Sequence, residues 1–465
     1  MPTLKVVNIT PKVLSGTATQ DSEPFLAVNP ETPTEMVATA FTPDPMNGPL
    51  APVYVSTDGG DSWVLHTVVP GAAPGLGTAD ITVAFAARGG ALYAGILNGL
   101  AALHRPVITR MQILRAPSIA STAPMKILVS RDEEDQPWAI AGTVTAGGAD
   151  LDRVYIGNNG PGPRTARVDV SGDARTAPAP AGFLPTTIEQ RDPAGQDGPP
   201  VRLAVHPDGT VYAAFQSWRT NDQGDPITNV TFDVVVTRDD DGGVGAHPFQ
   251  DLKDATDSVP GQRVATDRFV AFNSIMGQER LGGDLTIAVD PTGADRVWIA
   301  WCDRVGGPDG VDNTLHVQHS EDRGQTWRQV RDDVTDAKNP SLAVNEDGLV
   351  GLVYQRFADN QWTTVLEVTA DNWGTAPESD VLHQAPADVP RARGVPFLGD
   401  YIRMLAVGKD FYGVFAGNNT PDRANFPVGV TYQRNANFTT HQLLSTDGVT
   451  RVPPSIDPFF FHRAA

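Results

Sequence analysis

The 465-residue chain holds one cysteine, Cys302. A single thiol excludes an intramolecular disulfide framework and any metal site built on several cysteines. Basic residues are scarce: 35 Lys and Arg stand against 55 Asp and Glu, a formal net charge of −20. Such a chain repels phosphate backbones, so no nucleic-acid partner is expected. Long apolar runs are also missing. The most membrane-like stretch, Ile81 to Leu103, is broken by Arg88-Gly89-Gly90 and reads as two strands around a turn, so no membrane insertion is expected. The start, Met1-Pro-Thr-Leu-Lys-Val-Val-Asn, lacks a basic region followed by an apolar core. A soluble protein is expected, either cytoplasmic or exported with its leader removed or by a leaderless route. The nine histidines show no metal-ligand spacing. There is no Gly-x-Ser-x-Gly elbow, phosphate-binding loop or dinucleotide fingerprint.

What the chain has is a repeat. An acidic or amide residue introduces a short apolar strand, then a turn, then a second β-rich run. The instances are Glu23-Pro-Phe-Leu-Ala-Val, Asp80-Ile-Thr-Val-Ala-Phe, Asp135-Gln-Pro-Trp-Ala-Ile, Pro200-Val-Arg-Leu-Ala-Val with Asp197 before it, Asp284-Leu-Thr-Ile-Ala-Val, Asn339-Pro-Ser-Leu-Ala-Val and Asp400-Tyr-Ile-Arg-Met-Leu. Their starts lie 55 to 62 residues apart, except for 87 between Asp197 and Asp284. No segment carries a long 3.6-residue apolar period. The 45 glycines and 39 prolines are spread through the repeated turns rather than collected in linkers. Repeats of this length with four short strands each predict an all-β fold, a single β-propeller over residues 1–465. Seven four-stranded blades are expected, starting near 23, 80, 135, 200, 284, 339 and 400, with six as the alternative because the third unit is weakest. An insertion is expected at 253–283. Terminal segments 1–20 and 447–465 are expected to close or flank the ring, through Leu4 to Ile9 or Ser455 to Phe461.

Two segments share one pattern: Ser56-Thr-Asp58-Gly-Gly60-Asp-Ser-Trp63 and Ser320-Glu-Asp322-Arg-Gly324-Gln-Thr-Trp327. Each reads as a self-capping hairpin loop: the Asp accepts backbone N–H bonds, the Gly takes a conformation other residues resist, and the Trp packs between sheets. Their expected role is structural. Degenerate copies occur at Ser171-Gly-Asp173, Thr237-Arg-Asp239 and Thr369-Ala-Asp371. On these motifs the chain resembles the Asp-box (BNR-repeat) sialidase-like β-propeller superfamily from about Glu23 to Phe461, most of all bacterial sialidase-like proteins. The resemblance implies a carbohydrate-active protein, with an exo-acting glycoside hydrolase for an anionic sugar as its catalytic form. Sialidases carry an Arg-Ile-Pro motif, three arginines for the substrate carboxylate, a Tyr/Glu nucleophilic pair and an Asp acid/base. Arg-Ile-Pro is absent here; the first unit reads Pro24-Phe-Leu-Ala-Val.

In a propeller the inner strands start, and the second strands end, on one face around the channel. The inner-strand starts supply Asp21, Glu23, Asp80, Asp135, Asp197, Asn339, Asp284 and Asp400. These acids read as turn caps, as arginine partners, as a hard-cation site with Ca²⁺ as the candidate cofactor (Asp80, Asp135, Asp197), or as an acid/base pair. Tyr401 beside Asp400, with Glu279 and Asp284, forms the candidate catalytic set for covalent glycosidase chemistry. The second-strand ends supply Arg219, Arg304 and Arg356, and Arg280 precedes the fifth inner strand. Guanidinium groups converging from adjacent blades suit an anionic ligand. Asn159, Asn419 and Trp218 suit sugar hydroxyls and ring stacking. The expected partner is a carbohydrate or small anionic ligand. The alternative is a non-catalytic binding or scaffold module for a glycan or protein partner.

Overall fold

The computed structural model describes residues 3–41, 52–66, 78–98, 109–176, 182–195, 201–222, 227–273, 284–307, 313–387 and 398–465. Each repeat folds as an antiparallel meander because its turns are locally encoded. In the fourth repeat Thr210 N–H donates to Asp208 Oδ1 at 2.8 Å and Gly209 takes φ +99°, so the chain reverses within His206-Pro-Asp-Gly-Thr. Six four-stranded sheets and one five-stranded sheet result, each made of consecutive strands except the last. They are the blades of a seven-bladed propeller. No α-helix occurs among the described residues.

The innermost strands are Ser22–Val28, Thr78–Phe85, Asp135–Ala146, Arg202–Val205, Leu285–Asp290, Ala337–Val344 and Arg403–Val407. All seven line one central cavity of about 280 Å³. In six of them the alanine of the repeat phrase lies on it, Ala27, Ala84, Ala139, Ala204, Ala288 and Ala343; in the seventh the same phrase position holds Met404. Burial falls off outward. The inner strand of blade 1 is buried throughout, whereas the outer strand of blade 5, Arg328–Thr335, is half-buried or exposed. Facing blades clasp seven apolar cores, one per interface, from Phe25 with Ile81 between blades 1 and 2 around to Tyr54 with Phe460 between blades 7 and 1. This two-sided cover explains the nearly continuous apolar inner strands.

Adjacent inner strands share no ladder, so side-chain hydroxyls bridge them. Thr82, Thr286 and Ser341 accept the backbone N–H of Ala139, Leu342 and Met404 in the next blade, at 3.0, 3.2 and 2.9 Å.

The ring closes with both termini. In blade 7 the second strand Asp410–Asn418 pairs with Ile456–Arg463, which pairs antiparallel with Leu4–Asn8. Thr431–Tyr432 adds a short parallel edge to Leu4–Asn8. The two segments expected as alternatives therefore act together. The span 253–283 also differs from an insertion: its residues Gln262–Asn273 are the outer strand of blade 4. The third unit, weakest in sequence, is a full four-stranded blade.

Candidate functional site at the channel mouth

The inner strands begin with irregular backbone. Register shifts occur at Ser22/Phe25, Thr78/Ile81, Asp135/Trp138 and Lys338/Ser341 in blades 1, 2, 3 and 6. Glu23, Gln136 and Asn339 take left-handed φ of 50°, 53° and 51° there. Such bulges re-aim side chains and cluster beside functional sites. Here they turn the first residues of the inner strands into one buried assembly.

At its centre lies Arg202 of blade 4, 2% exposed. Its Nη2 donates to Asp284 of blade 5 at 2.8 Å. Its guanidinium carbon sits 3.7 Å from the ring centroid of Trp138 in blade 3 and 5.5 Å from that of Tyr401 in blade 7. Arg403 of blade 7 approaches the same Trp138 ring at 5.4 Å and Phe25 at 5.3 Å. Trp138 and Tyr401 meet edge to face at 5.5 Å. The Tyr401 hydroxyl donates to Asp80 of blade 2 at 3.1 Å. Asp400 N–H donates to Glu23 of blade 1 at 3.2 Å. With Lys338 of blade 6, buried near Asp400, every blade contributes.

Burial sets the protonation. It drives Asp284 up to about 6, and the Arg202 charge recovers only part of that rise. Lys338 falls to about 7 because its ammonium is desolvated, with Asp400 opposing. Arg403 falls to about 10 through burial and the neighbouring Arg202 charge. Tyr401 rises well above its usual value through burial and the charges of Asp80 and Glu23.

The donors are in surplus. Arg202 Nε and Nη1, Arg403 Nε and Trp138 Nε1 are buried and have no hydrogen-bond partner among the described residues. Buried N–H groups without acceptors are costly, doubly so on guanidinium groups.

The expected site residues divide accordingly. Asp284, Asp400, Tyr401 and Asp80 belong to the assembly. Asp135 opens the blade 3 bulge, where Gln136 N–H donates to its Oδ1 at 2.7 Å. Glu279, Arg280 and Asp197 lie outside the described residues. Among the described residues no group of three or more His, Cys, Asp or Glu is placed to hold a metal; Asp80 instead serves the Tyr401 hydroxyl.

All three arginines of the expected clamp lie among the described residues. Arg219 is held by Asp233 of its own blade at 2.8 Å. Arg356 is exposed and donates to Thr335 O at 3.3 Å. Arg304 is half-buried. The three share no partner among the described residues. Asn419 is fully used in the core of blade 7, donating to Ser455 and Asp457 and accepting from Ser455 N–H. Asn159 and Trp218 are buried, and neither Asn159 side-chain atom nor Trp218 Nε1 has a hydrogen-bond partner among the described residues.

The arginines that do meet, Arg202 and Arg403, lie within the repeat phrase, as does Trp138. Their signal was charge inside an otherwise apolar inner strand. The loop at Ser56 closes as its pattern implies: Ser62 N–H donates to Asp58 at 2.9 Å, Gly60 N–H to Ser56 Oγ at 2.9 Å, and Trp63 Nε1 to Gly60 O at 3.1 Å. The loop at Ser320 repeats this at 2.9, 2.8 and 2.9 Å. Both follow the third strand of their blades, at the end opposite the inner-strand starts.

No protein-family model matches the chain, and no curated protein sequence matches it. Solved structures of similar fold include the Penicillium chrysogenum α-L-arabinanase complexed with arabinobiose, at 12% identity and TM-score 0.44, covering 81% of this chain and 99% of that one. The GH93 α-L-arabinofuranosidase of Fusarium graminearum with arabinobiose is similar at 11% identity and TM-score 0.41, with 97% of each chain covered. A Hadza microbial sialidase is similar at 12% identity and TM-score 0.39, covering 86% of this chain and 63% of that one.

Proposed function

We propose that the protein is a carbohydrate-active propeller that takes the carboxylate of an anionic sugar at the channel mouth. The observation that carries the reading is the surplus of buried donors on Arg202, Arg403 and Trp138. A sugar carboxylate supplies two acceptor oxygens with several lone pairs, and the guanidinium fork matches it. The aromatic faces of Trp138 and Tyr401 complement a sugar ring. Neutral sugars leave the donors unsatisfied and are rejected.

In the catalytic form of this reading the protein is an exo-acting glycoside hydrolase. Asp284, held near 6, is the proton donor to the leaving oxygen. Tyr401 is the nucleophile and passes its proton to Asp80 as its oxygen bonds to the anomeric carbon. The high Tyr401 pKa disfavours a free phenolate, so proton transfer accompanies attack. A second reading, a glycan-binding module without turnover, is favoured by one observation: Tyr401 is 4% exposed and its neighbours are equally buried.

The test is calorimetric binding of a sialic acid, glucuronic acid and galacturonic acid beside neutral sugars, with hydrolysis of the matching chromogenic glycosides. Arg403→Gln is expected to weaken acidic-sugar binding by about tenfold or more, the scale of one charged hydrogen bond. Equal binding by Arg403→Gln overturns the carboxylate site. Tyr401→Phe is expected to abolish turnover while binding persists; retained turnover removes Tyr401 from the chemistry. Binding without turnover in the native protein establishes the second reading.

A further inference from the structure

A second cavity lies at the other end of the blades. It measures about 470 Å³ and is walled by the turn Gly89–Ala91 of blade 2, the connection that follows Ala116 in the same blade, and Arg175 of blade 3. These are inner-to-second and third-to-outer connections, whereas the channel mouth gathers the starts of the inner strands. Three cations line it, Arg115, Lys126 and Arg175, and none of its lining residues is acidic.

The cations differ in how they are held. Arg175 is neutralised by Asp152, which is fully buried and receives Nε at 3.1 Å and Nη2 at 2.8 Å. Arg115 donates Nη1 to the backbone oxygens of Ala174, at 2.7 Å, and Arg175, which fixes its guanidinium without cancelling its charge. Lys126 is exposed, and neither it nor Arg115 has a carboxylate partner among the described residues. Two further acids touch the wall from behind: Glu31 accepts Gly89 N–H at 2.7 Å, and Asp173 accepts Arg175 N–H at 3.1 Å.

The wall is built, not loose. Ile119 and Met125 anchor the loop in the core between blades 1 and 2, 6% and 3% exposed, leaving Ser121 on the pocket side with Pro117 and Pro124 beside it. The volume is that of a small-molecule site.

We infer that this cavity binds the phosphate or sulfate ester of a small molecule, the tetrahedral oxyanion resting on Arg115 and Lys126 while the apolar wall takes the remainder. A fixed guanidinium and a mobile ammonium, both uncompensated, suit a compact multivalent anion. The site is independent of the channel mouth.

The test is titration of the full chain with inorganic phosphate, inorganic sulfate, glucose 6-phosphate and glucose, read by calorimetry and melting temperature. Phosphate or sulfate is expected to bind and raise the melting temperature, and glucose is not. Lys126→Glu, an exposed change, is expected to weaken that binding at least tenfold without altering the melting temperature in plain buffer. Arg115→Lys is expected to weaken it while keeping the fold. Repeating the titration at pH 5 and pH 8 separates the sources. Phosphate monoester binding falls at the acid end, where it loses charge near its pKa of about 6, whereas sulfate binding holds. No binding of any of the anions at millimolar concentration overturns the inference. So does unchanged affinity in Lys126→Glu. Loss of binding in Arg403→Gln would place the anion at the channel mouth and likewise overturn it.

Discussion

Arg434 and Asp457 form an ion pair with no surface exposure on either side chain, Nη1 lying 3.0 Å from each carboxylate oxygen. The pair ties three parts of the chain together. Arg434 Nη2 also donates to Ser15 O and Thr17 O, and Asn8 and Asn419 donate to Asp457 at 2.7 Å each. Breaking one partner strands a buried charge, which costs about 3–5 kcal/mol. Asp457→Asn is therefore expected to lose stability on that scale in urea denaturation. The paired replacement Arg434→Met with Asp457→Leu is expected to lose less than Asp457→Asn alone. A loss below about 1 kcal/mol for Asp457→Asn would remove the pair from the closure of the ring.

Gly59 and Gly60 offer a matched comparison. Both take positive φ, +77° and +86°. A Cβ on Gly59 meets nothing within 4 Å, whereas one on Gly60 drives into the Phe460 ring of blade 7. Gly59→Ala is expected to cost only the backbone term, about 1–2 kcal/mol. Gly60→Ala adds overpacking of a core ring, a further 1–3 kcal/mol. Thermal denaturation of the two variants checks the order; equal melting temperatures would contradict it.

His319 stacks on Trp298 with ring centroids 4.2 Å apart, and neither ring nitrogen has a hydrogen-bond partner among the described residues. Burial lowers it from 6.5 to about 4; Arg328 and Arg296 push the same way, and Glu321 and Asp290 oppose. The folded state thus resists a proton that the unfolded chain accepts. The contribution is intact above pH 6.5 and is lost as pH falls toward 4, by up to about 3 kcal/mol. His319→Phe keeps a stacking ring and is expected to flatten this part of the pH–stability curve. An unchanged acid slope would show that His319 titrates normally.

Thr286→Val removes the hydroxyl that accepts Leu342 N–H across the blade 5–6 interface. Leaving that buried donor orphaned is expected to cost about 1–3 kcal/mol, although the shape is kept. Thr286→Ser should restore most of it. A neutral Thr286→Val would show that the hydroxyl bridge is dispensable.

The propeller was legible because its repeat is written in strand length, turn chemistry and spacing, all of which are local. Closure was legible only in part: both terminal segments stood out as candidates, but that Leu4–Asn8 pairs with Ile456–Arg463 is a long-range choice that neither segment announces. At the mouth, the acids Asp80, Asp284 and Asp400 stood out because they begin each phrase. Arg202 and Arg403 are less conspicuous because the strands around them read as apolar. They stay buried only through partners on other blades: Asp284 and Trp138 for Arg202, Trp138 and Phe25 for Arg403. The second-strand arginines were the reverse case. Counted from Ala213, Ile299 and Leu352, which face the same phrase position of their inner strands, Arg219, Arg304 and Arg356 lie six, five and four residues on, so the ladder does not make them equivalent; Arg219 is answered within its own blade and Arg356 stays exposed.

The seventh blade also dictates an order of events in the cell. A ribosome finishes Leu4–Asn8 long before Ile456–Arg463, yet each is the other's neighbour. Until Ile456–Arg463 has emerged, Leu4–Asn8 lacks its antiparallel partner and its edge stays open to wrong partners. Six blades can form on the growing chain, but the circle is sealed only once Ile456–Arg463 has been made. A chain that stalls short of Ile456 leaves Leu4–Asn8 unpaired and the ring incomplete.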